Sequence, residues 1–102
     1  MKNSISNLLM KLSSEEQLFI AERISYLRQD VLHLTQAQFA SALDVSQTYL
    51  SQIENKKKVV SSTLIYKISS TFNVRLEWLL VDTDNDNIFQ SDKEIIQYSI
   101  SV

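Results

Sequence analysis

Gln36-Ala37-Gln38-Phe39-Ala40-Ser41-Ala42-Leu43-Asp44-Val45-Ser46-Gln47-Thr48-Tyr49-Leu50-Ser51-Gln52-Ile53-Glu54-Asn55 is the stretch on which the reading of this chain turns. It holds two short amphipathic runs, each introduced by a residue whose side-chain oxygen suits a helix N-cap. Thr35 stands ahead of the first, with Gln38 three residues on, the spacing of a capping box. Ser46 stands ahead of the second. Phe39, Ala40 and Leu43 share one face of the first run, and Leu50 and Ile53 form a narrow apolar stripe on the second. Asp44 and Val45 alone separate them. Two helices joined this tightly cross at a steep angle and need a small residue at their closest approach, which Ala40 supplies.

Working upstream, Phe19, Ile20, Ile24, Leu27 and Val31 mark one face of a longer helix ending near Val31. Its start lies in Ser13-Ser14-Glu15-Glu16-Gln17, where Ser13 with Glu16, or Ser14 with Gln17, makes a capping box. Ile5, Leu8, Leu9 and Leu12 recur at helical spacing and predict a short N-terminal helix. Downstream, the second helix of the pair stops before Lys56-Lys57-Lys58. A fourth helix starts near Ser61 or Ser62 and buries Ile65, Ile68 and Phe72, with Asn73 as a left-handed cap. Residues 75–80 supply a last turn and a half, presenting Leu76, Trp78 and Leu79 to the core. The expectation is an all-α fold: residues 1–14 an extension, 15–80 a compact five-helix domain, 81–102 an acidic linker and tail. In that tail Ile96, Tyr98, Ile100 and Val102 alternate with polar residues, the periodicity of a strand. A lone strand is either disordered or paired, for example with its copy in a second subunit.

Composition narrows the chemistry. The 102 residues amount to one domain. There is no cysteine, so disulfides, thiolate zinc sites and cysteine nucleophiles are excluded. Glycine and proline are also absent, which removes glycine-rich phosphate loops and leaves positive-φ turns to Asn and Asp. No apolar run approaches the roughly 20 residues that span a bilayer, and the first seven residues carry no signal-peptide pattern. A cytoplasmic protein is expected. The net charge of −2 argues against nucleic acid until its distribution is read. Residues 23–80 hold seven basic side chains against four acidic ones, whereas 81–102 hold one Lys against five acids. The middle is basic and the tail acidic.

Residues 36–55 resemble the phage-repressor/Cro-type, lambda-repressor-like helix-turn-helix family of transcriptional regulators. The likeness continues through Leu34-Thr35-Gln36, Ile53-Glu54-Asn55, Phe72-Asn73-Val74 and Leu76-Glu77-Trp78-Leu79-Leu80, covering roughly residues 22–80. Three positions depart from the family pattern: Asp44 stands where its turn usually has glycine, Lys56 follows Asn55 where glycine is common, and Val59-Val60 replaces the usual proline. The resemblance implies a sequence-specific double-stranded DNA-binding regulator of bacterial or phage origin whose second motif helix enters the major groove. Gln47, Thr48, Ser51 and Gln52 are the implied base contacts, with Gln suited to adenine and Thr to the thymine methyl. None is charged, so the half-site is expected to be rich in A·T. Gln36, Tyr49, Asn55, Lys56, Lys57 and Lys58 are the implied phosphate contacts. A repressor acting as a homodimer on a partly palindromic operator follows, because one such domain seldom supplies enough affinity alone.

The competing readings are plainer. A helical pair can be an ordinary bundle hairpin, and a lysine run a solvated loop. His33 has no partner spacing for catalysis and suits a loop or cap, and Trp78 suits the core or a dimer surface. The Asp/Asn stretch 82–86 lacks the glycine and distal glutamate of a calcium loop and reads as a linker. An antitoxin, binding a partner protein through its acidic tail while repressing its own promoter, is the alternative of a different class. No nucleophile–base pair, metal set or cofactor loop supports an enzyme. Only 22 residues follow Leu80, too few for a ligand-sensing domain.

Overall fold

The computed structural model describes residues 13–82 and 87–90. The N-terminal helix expected over Ile5 to Leu12 and the strand expected over Ile96 to Val102 lie outside these residues. Five helices carry the described chain: α1 Ser14–Tyr26, α2 Gln36–Leu43, α3 Gln47–Glu54, α4 Ser62–Phe72 and α5 Leu76–Leu80. The all-α expectation holds, with one refinement. The first helix does reach Val31, but its last turn, Leu27–Val31, is π-helical. Leu32 N–H reaches back five residues to Leu27 O and Leu34 N–H reaches Arg28 O, while His33 takes a positive φ of 55° to turn the chain into α2.

The starts of the helices follow their caps. Ser13 and Glu16 form the capping box of α1, and Thr35 and Gln38 that of α2. Ser46 and Ser61 accept from the third N–H of α3 and α4. Their ends rely on residues other than glycine in the left-handed region: Asp44 at φ 56°, Lys56 at 62° and Asn73 at 58°. Asp and Asn tolerate this better than other residues, whereas Lys56 has no such help. The Asp44 carbonyl left exposed by the turn accepts from Lys67 Nζ at 3.2 Å.

One core serves all five helices. Ile20, Ile24 and Leu27 share one cluster with Phe39, Leu43, Leu50 and Ile53 of the motif helices and with Leu64, Ile65, Ile68, Val74, Trp78 and Leu79. Full burial of each large side chain is worth roughly 1.5–3 kcal/mol. Phe39 stacks on Phe72 at 5.3 Å between ring centroids. α1 packs on both α3 and α5, α2 packs on α3 and α4, and α4 packs on α5. Trp78 is therefore core, and it carries a buried cation above it. The Arg23 guanidinium sits 4.6 Å from the Trp78 ring centroid and 4.9 Å from that of Phe19, and donates to the Asp82 carbonyl.

The chain beyond α5 returns to the domain. The left-handed Asn73 delivers Val74 in extended form, with Val74 N–H on Ser69 O and Ser69 Oγ on Val74 O. Asn73 O and Arg75 N–H then face the other way and pair with Gln90 N–H at 2.9 Å and Ile88 O at 2.8 Å, setting Val74 opposite Phe89 in antiparallel sense. Arg75 Nη1 fastens both ends of this return, donating to Asp82 Oδ2 and Asn87 O.

Candidate nucleic-acid interface

α3 is pinned by its buried side and open on the other. Leu50 and Ile53 are fully buried, which leaves Gln47 and Thr48 exposed and Ser51 and Gln52 half-buried on the opposite face. These four border a shallow concavity of about 410 Å³ together with Gln36, Asn55 and Lys57. The floor of that concavity is neutral amide and hydroxyl chemistry with a single cation at its rim. Asn55 Nδ2 donates to Ser51 Oγ at 3.2 Å, which fixes part of the wall. Amides and hydroxyls that both donate and accept are suited to base edges, which present both kinds of group in the major groove.

The remaining candidates stand apart from this surface. Tyr49 is half-buried, its hydroxyl 3.0 Å from Ser61 Oγ and its ring 5.6 Å from Lys58 Nζ. Lys56 reaches across to α1 and pairs with Glu22 at 3.3 Å. Lys56 and Lys58 border a second, smaller cleft of about 280 Å³ whose other wall is Ser14, Gln17, Leu18 and Ala21 of α1. Lys57 alone borders both hollows. All three consecutive lysines thus border the second cleft, and Lys57 also reaches the rim of the first.

Behind the concavity lies a network that sequence inspection missed. Glu54, the last residue of α3, accepts from Arg28 Nε at 2.7 Å and Arg28 Nη2 at 2.8 Å, a bidentate pair with both side chains almost out of water. Its Oε1 also accepts from Ser25 Oγ at 3.4 Å and from Gln36 Nε2 at 3.3 Å. Arg28 Nη1 in turn donates to Leu34 O in the loop entering α2. One carboxylate therefore ties the end of α3 to α1, to its π-helical turn and to the first residue of α2. The hydrogen bonds that Arg28 donates to Glu54 raise the Arg28 pKa above the usual arginine range, outweighing burial. A signal was available: a carboxylate at a helix C-terminus opposes the helix dipole and calls for a cation partner.

Among the described residues, no helix is long and apolar enough to cross a membrane. The fold and this exposed second motif helix define a class, DNA-binding regulators built on a helix-turn-helix. Comparison with known proteins agrees: the helix-turn-helix family model matches residues 24–79, and the chain belongs to that family. Control protein C.MunI from Mycoplasma sp is 34% identical over 64 residues, which cover 63% of this chain and 86% of that protein. The transcriptional regulator PrpR of Mycobacterium tuberculosis is 29% identical over 79 residues, 78% of this chain but 16% of PrpR. No solved structure matches significantly. The family and these relatives are regulators rather than enzymes.

Proposed function

We propose that this chain is a transcriptional repressor that acts as a homodimer on a partly palindromic operator. The observation that carries the reading is the uncharged, open face of α3 around the concavity, with Lys57 at its rim. Gln47, Thr48, Ser51 and Gln52 read base edges, and the lack of an arginine among them favours A·T over guanine. Gln36, Asn55 and Lys57 hold the phosphates that flank the groove. Gln36 stands at the N-terminus of α2, where its backbone N–H adds to the grip. Tyr49, Lys56 and Lys58 join from the side, Lys56 by exchanging its exposed pair with Glu22, worth about 0–1 kcal/mol, for a phosphate.

Repression then follows from occupancy: a dimer spanning two half-sites roughly one helical turn apart covers the promoter against polymerase. Selection of bound sequences from random DNA tests this, because it yields both half-site and spacing. The expected result is an inverted repeat of A·T-rich half-sites with centres roughly 10 base pairs or a multiple apart. Enrichment of no motif, or of a single guanine-rich site without symmetry, contradicts it.

A further inference from the structure

The turn between α3 and α4 is fixed at both ends, and one residue of α3 reaches its far end. At the near end Lys56 N–H bonds to Ile53 O and Lys57 N–H to Gln52 O, the paired closure that a left-handed residue after a helix permits. At the far end Val60 is buried, and the Tyr49 hydroxyl lies 3.0 Å from Ser61 Oγ. That oxygen also accepts from Leu64 N–H and so caps α4. Between these points the Lys58 ammonium sits 5.6 Å from the centroid of the Tyr49 ring, which packs half-buried against the core.

We infer that Tyr49 is a positioning residue: its ring holds Lys58 in place for a phosphate, so that the reading helix itself aims a cation. This rests on the phosphate role given to Lys58 above and names what orients it. Two neighbouring lysines show the difference. Lys56 is held by a carboxylate, that of Glu22, which cancels its charge and has to be displaced before a phosphate can take its place. Lys58 is held by a neutral ring, whose face attracts a cation without cancelling its charge. A lysine aimed in advance has given up rotamer freedom before DNA arrives, so less ordering is left to be done on binding. Tyr49 also stands next to Thr48 on α3, a helix pinned by the buried Leu50 and Ile53. The separation between the base-reading face and Lys58 is therefore set from a rigid helix.

A double-mutant cycle in the full chain tests this, with random-sequence duplex as the probe over a series of salt concentrations. Lys58→Ala is expected to weaken binding and to lower the slope of log K against log salt by about 0.9, as the loss of one phosphate contact does. Tyr49→Leu keeps an apolar side chain against the core but removes the ring. It is expected to weaken binding by about fivefold and to lower the slope in the same sense. In the Lys58→Ala background the same substitution is expected to change affinity by less than about twofold, because the cation it aims is gone. Tyr49→Phe, which keeps the ring, is expected to recover the slope lost in Tyr49→Leu. One measurement needs no variant: in the proton spectrum of the free parent the Lys58 ε-methylene is expected upfield of that of Lys57, shifted by the ring it lies over. Equal losses from Tyr49→Leu with and without Lys58, a slope that stays low in Tyr49→Phe, or a Lys58 methylene without that shift overturns the positioning role while sparing Lys58 as a phosphate contact. A Lys58→Ala variant with unchanged affinity and slope overturns the phosphate role of Lys58 and the inference with it.

Discussion

Glu54→Ala tests how the reading helix is held. The substitution leaves the Arg28 guanidinium, whose side chain is 12% exposed, with Leu34 O as its remaining partner in the network. It also strips acceptors from Ser25 and Gln36. Removing one member of a buried pair costs roughly 3–5 kcal/mol, because the other charge stays desolvated. A domain of this size has about 5–15 kcal/mol in all, and each kcal/mol shifts Tm by roughly 4–8 °C. The variant should therefore melt at least about 12 °C below the parent and lose operator binding when α3 and Gln36 come loose. Replacing both members, Arg28→Met with Glu54→Leu, removes the stranded charge and should recover most of the loss, to within about 1–2 kcal/mol of the parent. Urea denaturation followed by circular dichroism measures the parent and both variants. The Arg28 pKa is raised, so its stabilisation is complete below the ordinary arginine range and is lost only as pH climbs through the raised value. Arg28 should contribute no pH dependence between about pH 7 and 10. A loss under about 1 kcal/mol for Glu54→Ala, or a double variant as weak as the single, refutes the reasoning.

Three further outcomes are expected. Asn73→Ala, placing a Cβ-bearing residue without local hydrogen bonding at φ 58°, should cost about 1 kcal/mol in urea, while Asn73→Gly should be close to neutral. Lys57→Ala should weaken binding to all DNA and lower the slope of log K against log salt by about 0.9, as one lost phosphate contact requires; an unchanged slope removes Lys57 from the phosphate set. Trp78→Ala should cost about 3–5 kcal/mol and abolish cooperative unfolding, since the indole is fully buried and carries the Arg23 guanidinium.

The helices were legible in the sequence because their signals are local. Ser13 with Glu16 and Thr35 with Gln38 act across three residues, and Asp44 and Asn73 stop helices where glycine is absent. The open face of α3 was legible for the same reason: burying Leu50 and Ile53 dictates which way Gln47 and Ser51 point. What escaped notice depends on tertiary placement. Arg28 and Glu54 are 26 residues apart, and Arg23 reaches Asp82 across 59. The return of residues 87–90 is held by two backbone bonds and by Arg75 Nη1 on Asn87 O, bonds to its main chain that its own side chains do not announce. The turn that carries the three lysines beside α1 holds one positive φ at Lys56, a residue with no preference for it. Of three identical neighbours in sequence, Lys57 alone therefore reaches the concavity on α3.

The central claim is that uncharged side chains on α3 choose the DNA sequence while cations outside them supply the grip. Gln47→Ala with Gln52→Ala, assayed by competition between the selected operator and random duplex at fixed salt, tests it most directly. The account predicts that operator affinity falls by at least about tenfold, a loss of about 1–3 kcal/mol per base contact, with random-duplex affinity nearly unchanged. An unaltered ratio between operator and random duplex, with the fold intact, contradicts it.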